Sequence, residues 1–242
     1  MGPVWIQSGK PDPGFRRGDE LNVDVDFVYA IGMTQHAIDR RTAANAPMST
    51  QKSGPPGKIR IVAGSLRGSR LLVPEKAGLR PTPDRVRETL FNWLAPVVVG
   101  ARCLDLYAGT GALGIEAISR GARACTFVEN DRDLARLLRE NLARLKVDTA
   151  RVVERDADAM LAGAAEPFDI AFLDPPFGAD LWSDAARTLE NRGWLAADAW
   201  IYVESPAEAM LALPPAWTLH REGRAGAVRY ALYRRTAADP LS

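Results

Sequence analysis

The feature that most narrows the fold is an alternation that begins after Gly100. Five short apolar runs, at 103–107, 124–129, 151–155, 168–174 and 200–204, are separated by helical stretches ending near Arg120, Leu145, Leu161 and Glu190. Runs this short and this apolar read as strands covered on both faces, and Leu134, Leu137, Leu138, Leu142 and Leu145 recur at helical spacing in the second helix. Gly121 is placed to close the helix before it. Strand and helix in turn imply an α/β chain with a mostly parallel, doubly wound sheet, whose ligands bind at the carboxyl ends of the strands. The segments 217–222 and 227–235 flank a Gly-Arg-Ala-Gly turn and predict a final antiparallel hairpin.

Ahead of this alternation, residues 58–64 alternate, 64–68 make a turn and 69–74 return, which predicts a small β-hairpin within a basic segment at 58–79. A helix follows, with Thr82 as N-cap, Pro83 at the first helical position and Asp84 at the positive end of its dipole. Val86, Leu90, Trp93 and Leu94 share one face of it; Arg85, Glu88 and Asn92 share the other, which periodicity alone assigns to solvent. Residues 1–57 show no sustained period and carry Pro and Gly at both ends, so a poorly ordered extension is expected, with Met48 as an alternative start. The main domain then runs from 80 to 242.

The formal net charge of +1, from 31 basic and 30 acidic residues, hides a gradient. Residues 58–95 hold eight basic groups (Lys58, Arg60, Arg67, Arg70, Lys76, Arg80, Arg85, Arg87) against three acidic ones, net +5. Residues 1–57 sum to zero and residues 96–242 to minus 4. A basic front end ahead of an acidic body argues against a protein that coats nucleic acid uniformly and leaves room for a local phosphate-binding face. With 47% hydrophobic residues the chain can bury a core, which excludes disorder for its bulk. No apolar run is long enough to cross a bilayer. The run at 27–31 follows acidic residues and precedes Arg40 and Arg41, the reverse of a secretory signal. Cys103 and Cys125 lack metal or disulfide spacing, and His36 and His220 lie far apart, so buried thiols, no metal site and a cytoplasmic location are expected.

The chemistry concentrates after the strands. The first ends in Asp105-Leu-Tyr-Ala-Gly109-Thr-Gly111-Ala-Leu-Gly114, which matches G-x-G-x-x-G, and Glu129 lies 20 residues beyond Gly109. A dinucleotide site fits these features as well as any other nucleotide-like ligand. Asp105 tilts the balance: a carboxylate there repels a pyrophosphate but accepts hydrogen bonds from a cationic amino-acid group, such as that of S-adenosylmethionine. Asp156 follows the third strand, either as an acceptor for an adenine amine or as a helix cap. The fourth strand ends in Asp174-Pro175-Pro176-Phe177. An exocyclic base amine is a weak nucleophile, and methylating it calls for acceptors on its N–H groups that leave the lone pair facing the methyl donor. The Asp174 carboxylate and the Pro175 carbonyl are such acceptors, the prolines stiffen the segment, and Phe177 offers a face for base stacking.

The stretches RIVAGSLRG, LRPTPDRVRETLFNWL, LDLYAGTGALGIEA, FVEND, FLDPPF and GWLAADAWIYVES together resemble the bacterial methyltransferases that make N2-methylguanine in small-subunit (16S) ribosomal RNA. The likeness runs from about Lys58 to about Arg235, and the RPTPDRVRETLFN segment is its most particular part. It implies a Rossmann-like class I methyltransferase fold, a seven-stranded sheet and S-adenosylmethionine as cofactor. It implies that Asp105, Gly109 and Gly111 surround the methionine part of that cofactor, that Glu129 holds the ribose, that Asp156 with Ala157 meets the adenine, and that Tyr107 and Asn130 also bind the cofactor. Asp174 to Phe177 go to the target guanine. Arg80, Thr82, Arg85 and Glu88 then border the site, with Arg60, Arg67 and Arg70 toward RNA. Tyr107 stands where Phe is usual, and Ser69 interrupts a run that is commonly more basic.

The expected partner is thus 16S ribosomal RNA, presented by an assembled or assembling small subunit, with no membrane and no obligate protein partner. The alternatives are an adenine-N6 or cytosine-N4 nucleic-acid methyltransferase, an NAD-dependent oxidoreductase, and a non-catalytic RNA-binding module.

Overall fold

A computed structural model of the protein describes residues 57–74, 82–176 and 181–236. The extension with Met48, and the candidates Arg80 and Phe177, lie outside the described residues.

Two sheets are present among them. The smaller pairs β1 (Gly57–Arg60) with β2 (Arg70–Val73), antiparallel, Ile59 opposite Leu71. The larger has seven strands: β3 (Arg102–Asp105), β4 (Ala124–Glu129), β5 (Ala150–Glu154), β6 (Phe168–Leu173), β7 (Leu195–Pro206), β8 (Trp217–Ala225) and β9 (Val228–Arg235). Their spatial order is β5-β4-β3-β6-β7-β9-β8, parallel from β5 to β7 and antiparallel for β9 and β8. From β3 the chain winds outward through β4 and β5, then returns to build β6 and β7 on the other side. Such a reversal opens a crevice at the carboxyl ends of β3 and its neighbours.

Side chains alternate across this sheet into two cores. Cys103, Cys125, Phe127, Ile170, Phe172 and Tyr202 face one side, where they meet α1 (Asp84–Leu94), α2 (Ala112–Ser119) and α3 (Arg132–Arg144). Leu104, Val128, Ala171, Leu173, Ile201 and Val203 face the other, against α4 (Ala157–Leu161) and α5 (Trp182–Asn191). The hairpin residues Ile59, Ile61, Leu71 and Val73 belong to the first core, so the hairpin is packed into the domain. Cys103 and Cys125 are free, buried thiols in register on adjacent strands.

Side chains of α2 and α3 hold that hairpin by its backbone. Glu116 accepts from the N–H groups of Val62 and Ala63 at 2.8 and 3.0 Å. Ser119 accepts from Leu66 N–H at 2.9 Å and donates to the Ala63 carbonyl at 2.5 Å. Asn141 pairs with both the N–H and the carbonyl of Leu72, each at 3.1 Å, in the manner of a strand neighbour. Gly64 crosses this contact with φ of 83°, and a Cβ there would lie 1.8 Å from the Ser119 carbonyl oxygen. Only glycine permits the approach.

Three sequence expectations change in α1. Thr82 is not its cap: the helix begins at Asp84, no side chain bonds its first turn, and the buried Thr82 hydroxyl donates to Glu204 at 3.2 Å. Trp93 is half-buried, stacked on Tyr230 at 5.6 Å, and Phe91 takes the core position instead. Arg87, counted among the charges of the basic segment, is fully buried. Its Nη2 donates to Asp84 at 2.5 Å and to the Arg60 carbonyl at 2.7 Å, and its Nη1 lies 3.6 Å from Glu116. A cation so enclosed cannot contact phosphate.

Candidate active site

At the carboxyl ends of the parallel strands lies a cavity of about 910 Å³. Asp105, Tyr107 and Gly109 line it after β3, Glu129 and Asn130 after β4, Asp156 and Ala157 after β5, and Asp174, Pro175 and Pro176 after β6. Thr82 closes it from the side of α1. The described wall also contains Glu204, Arg155, Leu181 and Val228, to which sequence reasoning assigned no role. Glu204 carried a usable signal, because it ends an apolar run as Glu129 does.

Other candidates lie elsewhere. Gly111 is not in the wall; it starts α2 with φ of 75°, and a Cβ there would sit 2.4 Å from Leu138. Gly114 brings α2 onto β4, where a Cβ would be 2.3 Å from the Phe127 ring. Arg85 and Glu88 are exposed on α1 and do not line the cavity, and Arg60, Arg67 and Arg70 are exposed on the hairpin.

The described wall carries six acidic side chains, Asp105, Glu129, Asp131, Asp156, Asp174 and Glu204, and one basic one, Arg155. Asp105 is 2% exposed and accepts from Gly114 N–H at 3.0 Å. Burial pushes its carboxyl up from 3.8 to about 7, against the Gly114 hydrogen bond and with help from the Glu129 charge. Asp174 is raised well above the usual carboxylate range by burial and then by the charges of Glu204 and Asp105, while the Thr82 hydroxyl opposes the rise. Burial also raises Glu204, against the hydroxyls of Tyr202 and Thr82 that donate to it.

Besides Asp105, three acids are partly committed to the backbone, Asp131 among them as the cap of α3 through Asp133 and Leu134 N–H. Glu129 accepts from Gly109 N–H at 2.7 Å and from Asp131 N–H at 2.8 Å, which fixes the glycine loop against the end of β4. Asp156 uses one oxygen, Oδ1, to cap α4 through Asp158 and Ala159 N–H. Capping therefore leaves Oδ2 available to the cavity. The Tyr107 hydroxyl is buried without a partner among the described residues.

Such a wall has a definite preference. Carboxylates of one sign, with Asp105, Glu129 and Glu204 buried among them, favour a ligand that is cationic or rich in N–H and O–H donors. A pyrophosphate, with its own negative charge, is disfavoured, and this weighs against a dinucleotide despite the matching glycine spacing.

Comparison with known proteins agrees. The family model described as Conserved hypothetical protein 95 matches residues 59–234. Ribosomal RNA small subunit methyltransferase D of Escherichia coli K12 is 54% identical over 182 residues, 75% of this chain and 92% of its own length. The chain belongs to this family. The methyltransferase D of Haemophilus influenzae is 44% identical over 182 residues, 74% of this chain and 94% of its own. A solved Escherichia coli methyltransferase superposes with a TM-score of 0.70 at 50% identity, covering 75% of this chain and all of that one. The family fold is the Rossmann-like class I methyltransferase fold, and the strand order above is its realisation here.

Proposed function

We propose that this protein transfers a methyl group from S-adenosylmethionine to the exocyclic N2 amine of a guanine in 16S ribosomal RNA. The observation that carries the proposal is the acid-walled cavity with Asp174-Pro175-Pro176 at the end of β6, in a chain 54% identical to a small-subunit ribosomal RNA methyltransferase.

The residues present fit the cofactor. Asp105 would accept from its ammonium group, Glu129 from its ribose hydroxyls, and Asp156 Oδ2 from its adenine amine, while the unpartnered Tyr107 hydroxyl offers a donor at the same wall. When bound, S-adenosylmethionine would supply a methyl already activated by the sulfonium, the S–CH3 bond breaking as N–CH3 forms, with S-adenosylhomocysteine leaving as a neutral thioether and the methylated ammonium losing its proton to water. What the chain adds is placement and electrostatics. Asp174 and the Pro175 carbonyl accept the amine N–H groups and turn its lone pair away from the ring plane's conjugation. Positive charge that grows on the nitrogen then faces the Asp174 carboxylate.

RNA would approach over Lys58, Arg60, Arg67, Arg70 and Arg85, all exposed, through phosphate contacts that position the strand. The target guanine has to be splayed out to reach Asp174, and a folded small subunit presents it better than free RNA.

The test is to incubate the protein with labelled S-adenosylmethionine and small subunits lacking the modification, digest the RNA and identify the labelled nucleoside. N2-methylguanosine is expected. Label in N6-methyladenosine or N4-methylcytidine, or none, overturns the proposal.

A further inference from the structure

Glu204 is the buried group at the site for which the roles above leave no use. It is 6% exposed and lines the cavity, yet it lies at the end of β7, next to the strand that carries Asp174. The parallel register pairs Leu173 with Val203, so Asp174 and Glu204 follow as neighbours on adjacent strands. The Thr82 hydroxyl borders the same cavity and donates to Glu204 at 3.2 Å.

The Glu204 carboxylate is held in one orientation. Tyr202 Oη donates to its Oε2 at 2.8 Å, Thr82 Oγ1 donates to the same oxygen at 3.2 Å, and Trp182 Nε1 donates to the Glu204 backbone carbonyl at 2.7 Å. No described residue donates to Oε1. Nor does any described cation pair with Glu204, and a buried carboxylate in that condition is costly unless a ligand supplies a donor.

We infer that Glu204 selects the base: its Oε1 accepts the N1–H of the target guanine while Asp174 accepts from the amine being methylated. The inference rests on the function proposed above. Its chemical ground is that guanine alone, among the bases with an exocyclic amine, carries a ring N–H beside that amine. Adenine presents the N1 lone pair there and cytosine the N3 lone pair, so two adjacent acceptors match guanine and oppose the other two. Both Tyr202 and Thr82 donate to Oε2, which opposes the rise that burial imposes on this carboxyl and leaves Oε1 as the oxygen without a described donor.

The experiment compares two substrates: small subunits with guanine, or with 2-aminopurine, at the target position. 2-Aminopurine keeps the 2-amine and replaces N1–H by a lone pair. The wild-type protein should favour guanine in kcat/KM by about 100-fold or more, because a site built for an N–H rejects an analogue lacking it. E204Q, whose amide can turn an N–H toward N1, should compress that preference by about tenfold or more with unchanged affinity for S-adenosylmethionine. A preference that stays the same in E204Q overturns the inference. Failure of the wild-type protein to methylate N2 of guanine at all would instead remove the function on which it rests. Should E204Q not fold, Tyr202→Phe frees one hold on Oε2 and should lower kcat/KM on guanine subunits by about fivefold with cofactor affinity intact; an unchanged kcat/KM contradicts the role.

Discussion

The domain gathers two groups of charged side chains around buried members, and they are built on opposite plans. Beneath the hairpin, Arg87 and Arg120 meet Asp84 and Glu116, two charges of each sign. Arg120 Nε donates to Glu116 at 2.9 Å, its guanidinium lies over the Phe91 ring at 5.1 Å, and the remaining capacity of Glu116 goes to backbone N–H groups of the hairpin. At the ends of β3, β6 and β7, by contrast, Asp105, Asp174 and Glu204 gather with one sign and face a cavity. The first group balances its charge and ties a peripheral hairpin to the core, although Arg87 Nε and Nη1 have no hydrogen-bond partner among the described residues. The second pays for desolvation and mutual repulsion, which a ligand bringing positive charge and N–H donors can offset. Buried charge of balanced sign here marks architecture, and buried charge of one sign marks the site.

The comparison predicts different losses on each side. The largest is expected for Asp174→Ala, which should reduce turnover by about 10²–10⁴ while leaving affinity for S-adenosylmethionine in place, as judged by single-turnover kinetics beside calorimetry. Loss of cofactor binding, with the rate intact at saturation, would move Asp174 to the other ligand. In the balanced cluster, Arg87→Met should cost about 3–5 kcal/mol in denaturant unfolding by removing the buried counter-charge of Glu116, and adding Glu116→Leu should recover part of it. An additive double variant would show that the two residues are not a unit.

A smaller effect concerns pH. The Asp105 carboxyl is raised from 3.8 to about 7, so between those values the folded protein holds a proton that the unfolded chain has released. Its contribution to stability therefore falls as pH rises from about 4 to 7 and is level above. Cofactor binding runs the other way, since an ammonium prefers the ionised acid. Affinity for S-adenosylmethionine should rise by up to about tenfold per unit toward pH 7 and then flatten. Asp105→Asn should flatten the pH profile and weaken binding at pH 8 by about 10–100-fold. A wild-type affinity independent of pH from 5 to 8 would contradict this. The smallest effect belongs to the surface: Arg67→Ala and Arg70→Ala should each reduce the salt-dependence slope of RNA binding by about 1, with no change in cofactor affinity.

The sheet was legible because it depends on local pattern. The five apolar runs became β3 to β7, and Gly121, with φ of 102°, ends α2. Asp105, Glu129, Asp156 and Asp174 were legible because a doubly wound sheet brings every strand end to one crevice. What was lost depends on partners remote in the chain. Thr82 satisfies every local rule for an N-cap, but a buried carboxylate 122 residues away takes its hydroxyl. Arg87 counts as a basic surface charge until Glu116, on another helix, encloses it. Glu204 closes an apolar run as Glu129 does, yet only the β6–β7 register sets it beside Asp174. Gly111 belongs to the glycine motif, and the structure adds two constraints the motif does not spell out, a φ of 75° and the close Leu138 side chain.

The most direct test of the two-cluster account makes the same chemical change, carboxylate to amide, once in each cluster and melts both variants without ligand at pH 8. D174N puts a neutral amide in place of a carboxyl whose ionisation is opposed by burial and by the Glu204 and Asp105 charges, and should raise Tm by about 2–4 °C. E116Q strips Arg87 of a buried counter-charge and should lower Tm by about 6 °C or more. Shifts of opposite sign are the predicted result; a fall in both, or a rise in E116Q, would contradict the division of this protein into a charge-balanced clamp and an acid site held open for its ligands.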